Sequence, residues 1–350
     1  MKKIRLAIIG AGFNGQISFI QNFFNNRKCI LLGIVEARNS LRNLVAKKYN
    51  IPNQYPSHND LKKDMHKYDA LVIITKRSMT PAIASEFFKF GKPIFTEKPM
   101  ASTYVHAQKL VRQARKFNVL YKIGYNKIHD EGISKAKLVF ENLLRSKKFG
   151  KIILIRSHRV SGSGYDIKNK FISTSENNYL SQPSWNECPD WLPLKYLVSY
   201  KKYLNLFCHN ISLIRHFVSQ QPKVAFADIS EKKISTVLLD YKSFSAILET
   251  GFFTKNGWDE TFNIYFEKGS LNIYLPPQHF KNQSATFELY SNEKGKIIKF
   301  KKLDSWSFKR QADSFITEIL GNKIIYNNAF DAMYDIKLIE NIWKKFLKKT

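Results

Sequence analysis

The stretch IRLAIIGAGFNGQISFI, residues 4–20, constrains the fold of this chain more than any other. A short apolar run, Ile4–Ile9, stops at Gly10, and Gly12 and Gly15 follow in G-x-G-x-x-G spacing before a helical pattern that runs to about Phe24. Each glycine answers a separate need: a tight turn at Gly10, approach of a pyrophosphate to the backbone at Gly12, and close helix–strand packing at Gly15. The helix that follows points free N–H groups and its positive dipole end at the phosphates. The next apolar run, Leu31–Val35, ends in Glu36, a carboxylate placed to accept the hydroxyls of an adenosine ribose.

The alternation continues through the first third of the chain. A helix over 40–49, a strand over Ala70–Ile74, a helix over Thr80–Phe90 with Thr80 as its cap, and a strand over Pro93–Thr96 follow in turn. A helix over 103–116 with Ser102 as its cap and a strand over Leu120–Tyr125 complete the set. Strand–helix alternation at this spacing predicts a Rossmann-type α/β domain, a parallel sheet with helices on both faces, over residues 1–124.

From about 132 the pattern changes. A helix (132–146) and a strand (151–158) lead into a Ser/Asn/Pro-rich stretch at 161–194, then a helix (197–218), several short strands between 223 and 300, and helices at 308–320 and 330–347. Runs of neighbouring strands predict a second, α+β domain over 125–350 with a large, mostly antiparallel open sheet; its C-terminal helix is a candidate to pack back on the first domain. Trp258, Asp259 and Glu260 are expected at a strand edge. The 161–194 stretch, with Trp185 and Trp191, reads either as a cover for a sugar or as an insertion that packs against a neighbouring subunit.

Charge narrows the partners less than it first suggests. The chain has 57 Lys+Arg against 28 Asp+Glu, a formal charge of +29. The lysines scatter as short pairs, with no stripe and no nucleic-acid motif, so nucleic-acid binding is not expected; a positive field suits an anionic small molecule instead. Cys29, Cys188 and Cys208 form an odd, widely spaced set without metal-ligand pairing, which points to a reduced, cytoplasmic protein and to no metal site. The opening MKKIRLAIIGAG mimics a signal peptide but breaks at its glycines and reads as a buried first strand; no run reaches membrane-spanning length.

The strand over 93–96 runs into Glu97–Lys98–Pro99. Ligands of open α/β sheets bind outside the carboxyl ends of the strands, so Lys98 is expected near the nicotinamide end of a bound dinucleotide, its backbone restricted by Pro99. An ammonium there can hold a substrate oxygen and stabilise negative charge on it. Phe13, Asn14, Thr75 and Glu97 join Gly10, Gly12, Gly15, Glu36, Arg38 and Lys98 as cofactor-binding candidates. Glu36 repels a 2′-phosphate and favours NAD, whereas Arg38 would attract one, so NADP remains open. Tyr125 and Lys127, just past a strand end, are substrate-binding candidates, although a Tyr at that place is more often core.

IIGAGFNG, Glu36, TEKPMA at 96–101, GY at 124–125, NLFCHNISLIRHF at 205–217 and FKRQADSFITEIL at 308–320 together resemble the Gfo/Idh/MocA dehydrogenases, over nearly the whole chain. The resemblance implies that the second domain covers the nicotinamide and forms the contact of a homo-oligomer. It implies that Lys98 is catalytic and that His209 is the acid/base residue. The aspartate expected four residues before that histidine is Asn205 here, and the acidic position three after it is Ser212. Residues 205 and 209 share a helix face. Asn205 can orient a substrate hydroxyl or the imidazole but carries no charge, which removes a His–Asp relay. The expected activity is hydride exchange between nicotinamide and a secondary alcohol of a sugar, cyclitol or nucleotide sugar, with Lys98 and His209 meeting at the ring. The alternative is a non-catalytic dinucleotide-binding regulator or scaffold of the same fold.

Overall fold

A computed structural model of the chain describes residues 3–162, 171–177, 183–252, 257–321 and 328–348. These fall into two compact units, one of Met1–Tyr125, Asp166–Leu197 and Phe308–Ile336, the other of Asn126–Tyr165, Val198–Ser307 and Lys337–Thr350.

In the first unit, β1 (Ile4–Ile9), β2 (Cys29–Val35), β3 (Asn53–Tyr55), β4 (Ala70–Ile73), β5 (Ile94–Glu97) and β6 (Tyr121–Gly124) form one sheet in the order β3-β2-β1-β4-β5-β6. Every pairing is parallel. Leu6, Ala7, Ile8, Leu71, Val72 and Ile73 are fully buried, as continuous apolar runs must be in strands covered on both faces. The order reverses between β1 and β4, which opens the ligand crevice of such a sheet at the carboxyl ends of those strands. Strand β3 is absent from the sequence expectation. Its three residues, Asn-Gln-Tyr, carry no apolar run, and only edge pairing with Gly33–Val35 of β2 holds them extended.

The helices of this unit are α1, a π-helical turn over Gly15–Ile20 that continues into Gln21–Phe24, then α2 (Asn39–Lys48), α3 (His58–Lys63), α4 (Met79–Phe87) and α5 (Tyr104–Lys116). Two expected caps are displaced by one or more residues. Thr103, not Ser102, caps α5 by accepting from the His106 N–H at 3.2 Å. Thr80 lies inside the first turn of α4 and its hydroxyl meets Thr75 instead.

The second unit is built on eight strands: β7 (Ile152–Ser161), β8 (Lys223–Asp228), β9 (Ser235–Asp240), β10 (Ser245–Gly251), β11 (Trp258–Phe266), β12 (Gly269–Tyr274), β13 (Thr286–Ser291) and β14 (Lys296–Phe300). Their order is β14-β13-β12-β11-β7-β10-β9-β8, antiparallel apart from the β7–β10 pair. Alternation along β11 buries Phe262, Ile264 and Phe266 on one face. That face meets α6 (Glu131–Ser146) and α7 (Leu197–Phe217), where Phe140 and Phe217 pack against each other at 5.4 Å and against Phe266 and Phe262. Each such ring contributes about 2–3 kcal/mol of burial.

Two helices close the chain, α8 (Ser307–Ile319) and α9 (Ala329–Leu347). Within the first unit, Phe308 packs on Phe19, and Phe315 packs on Phe23 and Phe95. Among the described residues no helix is long and apolar enough to cross a membrane.

Candidate functional site

The three glycines do three different things. Gly10 has φ +103°, and a side chain there would put its first carbon 2.0 Å from the Ile74 carbonyl oxygen. At Gly15 the same carbon would lie 2.6 Å from the Gly10 carbonyl oxygen, so only glycine lets α1 start this close to the end of β1. Around Gly12 the nearest atom would be Arg38 Nη2 at 4.0 Å. The space over Gly12 is open, and nothing in local packing requires glycine there. These are the features a pyrophosphate cradle needs, and the residues fit a dinucleotide.

Glu36 is buried at the end of β2. It accepts from the Ala11 N–H at 3.1 Å, from the Arg38 N–H at 3.2 Å, and from the Arg38 guanidinium at 2.8 and 3.0 Å. Burial alone would raise its pKa, but the bonds from Arg38 and Ala11 outweigh that and hold the carboxyl below its ordinary range. Glu36 therefore stands ionised beside the glycine loop, and Arg38 is folded onto it.

Other candidates of the first unit gather at the same edge of the sheet. Thr75 lies just past β4 beside Gly10, its hydroxyl 2.9 Å from that of Thr80. Glu97, the last residue of β5, pairs with Gly124 and bonds the Asn14 side chain of the glycine loop. Burial pushes its pKa up to about 7, against the pull of Lys98 and of the bonds from Lys98 and Asn14. Lys98 follows directly at the carboxyl end of β5, half-buried, and its peptide bond to Pro99 is cis. Phe13 is partly exposed on the loop and meets Phe171 edge-on at 5.0 Å. Tyr125 is fully buried, so its ring is core.

Asn205 and His209 lie one turn apart on α7; His209 is buried and Asn205 half-buried. The helix is tied to the sheet around them. Ser212 donates to the His209 carbonyl at 2.9 Å, and the Asn210 amide donates to Ser157 on β7 at 3.1 Å.

Lys127 belongs to a charged cluster that sequence reasoning missed. Its ammonium is paired with Glu260, both buried, and lies over the Trp258 ring. The Arg159 guanidinium stacks on the same ring at 5.2 Å and donates to the Leu206 carbonyl of α7 at 2.7 Å. Burial lowers Lys127 to about 8, with Glu260 resisting the fall and Arg159 adding to it. Trp258, Asp259 and Glu260 open β11, which lies between β7 and β12 in the sheet, and Glu260 faces inward. The signal was the alternation of β11, which puts Glu260 on the same face as Phe262.

Part of the 161–194 stretch, residues 163–170 and 178–182, lies outside the described residues. The described part packs on the first unit. The Trp185 N–H donates to the Ser78 carbonyl, its ring lies 4.7 Å from that of His106, and Lys109 covers it. This placement packs one side of Trp185 on the body of its own unit and leaves the ring half-buried.

The parallel sheet, the glycine loop and the ionised Glu36 define a dinucleotide-binding α/β protein carrying a second, mostly antiparallel α+β unit. Residues 4–125 match the model of the Gfo/Idh/MocA oxidoreductase family, which has an NAD-binding Rossmann fold. It is 21% identical over 281 residues to a myo-inositol 2-dehydrogenase from Thermotoga maritima, covering 77% of this chain and 74% of that one. Its fold is shared by an aldose–aldose oxidoreductase from Caulobacter crescentus, with a TM-score of 0.76 at 15% identity, over 100% of this chain and 99% of that one. A 3-ketoreductase from Actinomadura kijaniata, solved with TDP-benzene and NADP, has a TM-score of 0.72 at 13% identity, with 98% of each chain covered.

Proposed function

We propose that the protein is a nicotinamide-dependent dehydrogenase of a secondary alcohol on a sugar, cyclitol or nucleotide sugar, with NAD as the cofactor. The observation that supports this most is the meeting of four features at one edge of the first unit's sheet. They are an open Gly12, an ionised Glu36, a Glu97 bonded to the glycine loop, and Lys98 directly after Glu97. The bound nicotinamide supplies the hydride acceptor. Lys98 holds the substrate oxygen and stabilises the charge that develops there. His209 takes the hydroxyl proton as the carbon–hydrogen bond breaks, and Asn205 orients the hydroxyl by hydrogen bonding. The bond from Arg159 to the Leu206 carbonyl helps to fix α7, and with it the imidazole.

The relatives support the substrate class: one is a myo-inositol dehydrogenase, another an aldose–aldose oxidoreductase. A homo-oligomer built through the open face of the large sheet, in a reducing cytoplasmic compartment, belongs to the same reading. NADH formation with inositols, free sugars and nucleotide sugars, compared between the wild type and Lys98→Ala, tests it. Turnover on one class that disappears in the variant supports the proposal; equal turnover in both removes Lys98 from the chemistry. Asn205, which cannot carry the charge of an aspartate, favours one other reading, a dinucleotide-binding regulator. Tight NAD binding with no turnover on any of these alcohols, and a stable protein partner, would select it.

A further inference from the structure

The turn after β2 is where a dinucleotide's adenosine ribose is read, because Glu36 ends that strand. A 2′-phosphate on that ribose needs cations or free backbone N–H groups in the same turn. In this chain several of those groups are already engaged. The Arg38 guanidinium is bonded twice to Glu36. Arg42 donates to the Glu36 carbonyl at 2.7 Å and to the Asn39 side chain. Two of the N–H groups that open α2, those of Ser40 and Leu41, are taken by a carboxylate from far along the chain. Both oxygens of Glu176 accept from the Ser40 N–H, at 3.1 and 2.9 Å, and one accepts from the Leu41 N–H at 3.2 Å.

This contact is anchored at its other end. Residues 171–177 run from the glycine loop to α2. Phe171 packs on Phe13, and the Gln16 side chain bonds the Ile172 backbone in both directions, donating to its carbonyl at 2.8 Å and accepting from its N–H at 2.9 Å. Thr174 donates to Glu176 at 3.3 Å. The first turn of α2 has no acid of its own, and its N-cap residue, Arg38, makes no side-chain cap. Glu176 meets that need, and it also sets a second negative charge beside Arg38 and Glu36.

We propose that Glu176 is a cofactor-specificity residue, an internal carboxylate that holds the position a 2′-phosphate would take and thereby restricts the site to NAD. The inference rests on the dinucleotide reading of the first unit and deepens its choice of cofactor. A phosphate entering this turn must displace Glu176 from its three N–H bonds and then stand beside Glu36. A 2′-hydroxyl needs neither.

Calorimetric titration of the full-length protein with NAD⁺, NADP⁺, 5′-AMP and 2′,5′-ADP tests this without reference to turnover. In the wild type, NAD⁺ and 5′-AMP should bind at least about tenfold more tightly than their phosphorylated counterparts, the scale of one charged hydrogen bond. Glu176→Gln should tighten NADP⁺ and 2′,5′-ADP about tenfold while leaving NAD⁺ within about twofold. Glu176→Ala, which frees the N–H groups entirely, should do at least as much. A lower melting temperature with unchanged NADP⁺ and 2′,5′-ADP affinity in both variants would show that Glu176 only caps α2, and would overturn the proposal. If the wild type binds none of the four, the dinucleotide reading itself fails, and the proposal fails with it.

Discussion

Gly10 faces the carbonyl of Ile74 so closely that a methyl group on it would sit 2.0 Å from the oxygen. Its backbone, at φ +103°, is also one that side chains rarely adopt. Gly12, two residues on, has neither constraint. The two glycines should therefore separate experimentally. Gly10→Ala should destabilise the fold by about 2 kcal/mol or more, seen as a lower denaturation midpoint. Gly12→Ala should leave that midpoint unchanged and weaken NAD⁺ binding in calorimetry. Equal effects on stability would show that Gly12 serves packing and not ligand approach.

The Lys127–Glu260 pair should show the asymmetry of buried charge. Glu260→Gln leaves an ammonium buried beside Arg159 and should cost about 3–5 kcal/mol in urea unfolding. Lys127→Met combined with Glu260→Met should cost less than the sum of the single changes, since the two sites are in contact. An additive cycle would mean that the pair does not interact in solution.

Glu97 predicts a pH dependence of stability. In the fold it titrates at about 7, raised chiefly by burial, whereas an unfolded chain ionises it near 4.5. Between these values the native state holds the extra proton. Its contribution is therefore fully present below pH 4.5, falls as pH rises toward 7, and is constant above. The loss should be on the order of 3 kcal/mol. Glu97→Gln should flatten that part of the curve of melting temperature against pH. Parallel curves for the two proteins would assign the slope to other groups.

If Lys98 and His209 carry the proposed chemistry, each should fail in kcat while the first unit still binds NAD⁺. Lys98→Ala should lose about 10²–10³-fold, the scale of one electrostatic contact to a developing oxyanion. His209→Ala should lose about 10²–10⁴-fold, the scale of general base catalysis. Steady-state rates, with calorimetry on the same samples, separate chemistry from binding; a His209→Ala enzyme of full activity would remove the imidazole from the mechanism.

The glycine loop, the parallel strands and Glu36 were legible in the sequence because each depends on local geometry: a backbone angle, a short apolar run, a carboxylate at a strand end. The resemblance that pointed to Lys98 and His209 was carried by contiguous motifs, TEKPMA and NLFCHNISLIRHF. What tertiary structure alone decided involves partners far apart in the chain. Strand β3 exists only because β2 offers an edge. Lys127 and Glu260 are 133 residues apart and Ser40 and Glu176 are 136 apart, separations over which no spacing rule operates. Each is a polar group with an ordinary solvated alternative, so its type says nothing about its partner. Only the closing of the chain, which withdraws water from Lys127 and brings a carboxylate to the first turn of α2, gives these residues their meaning.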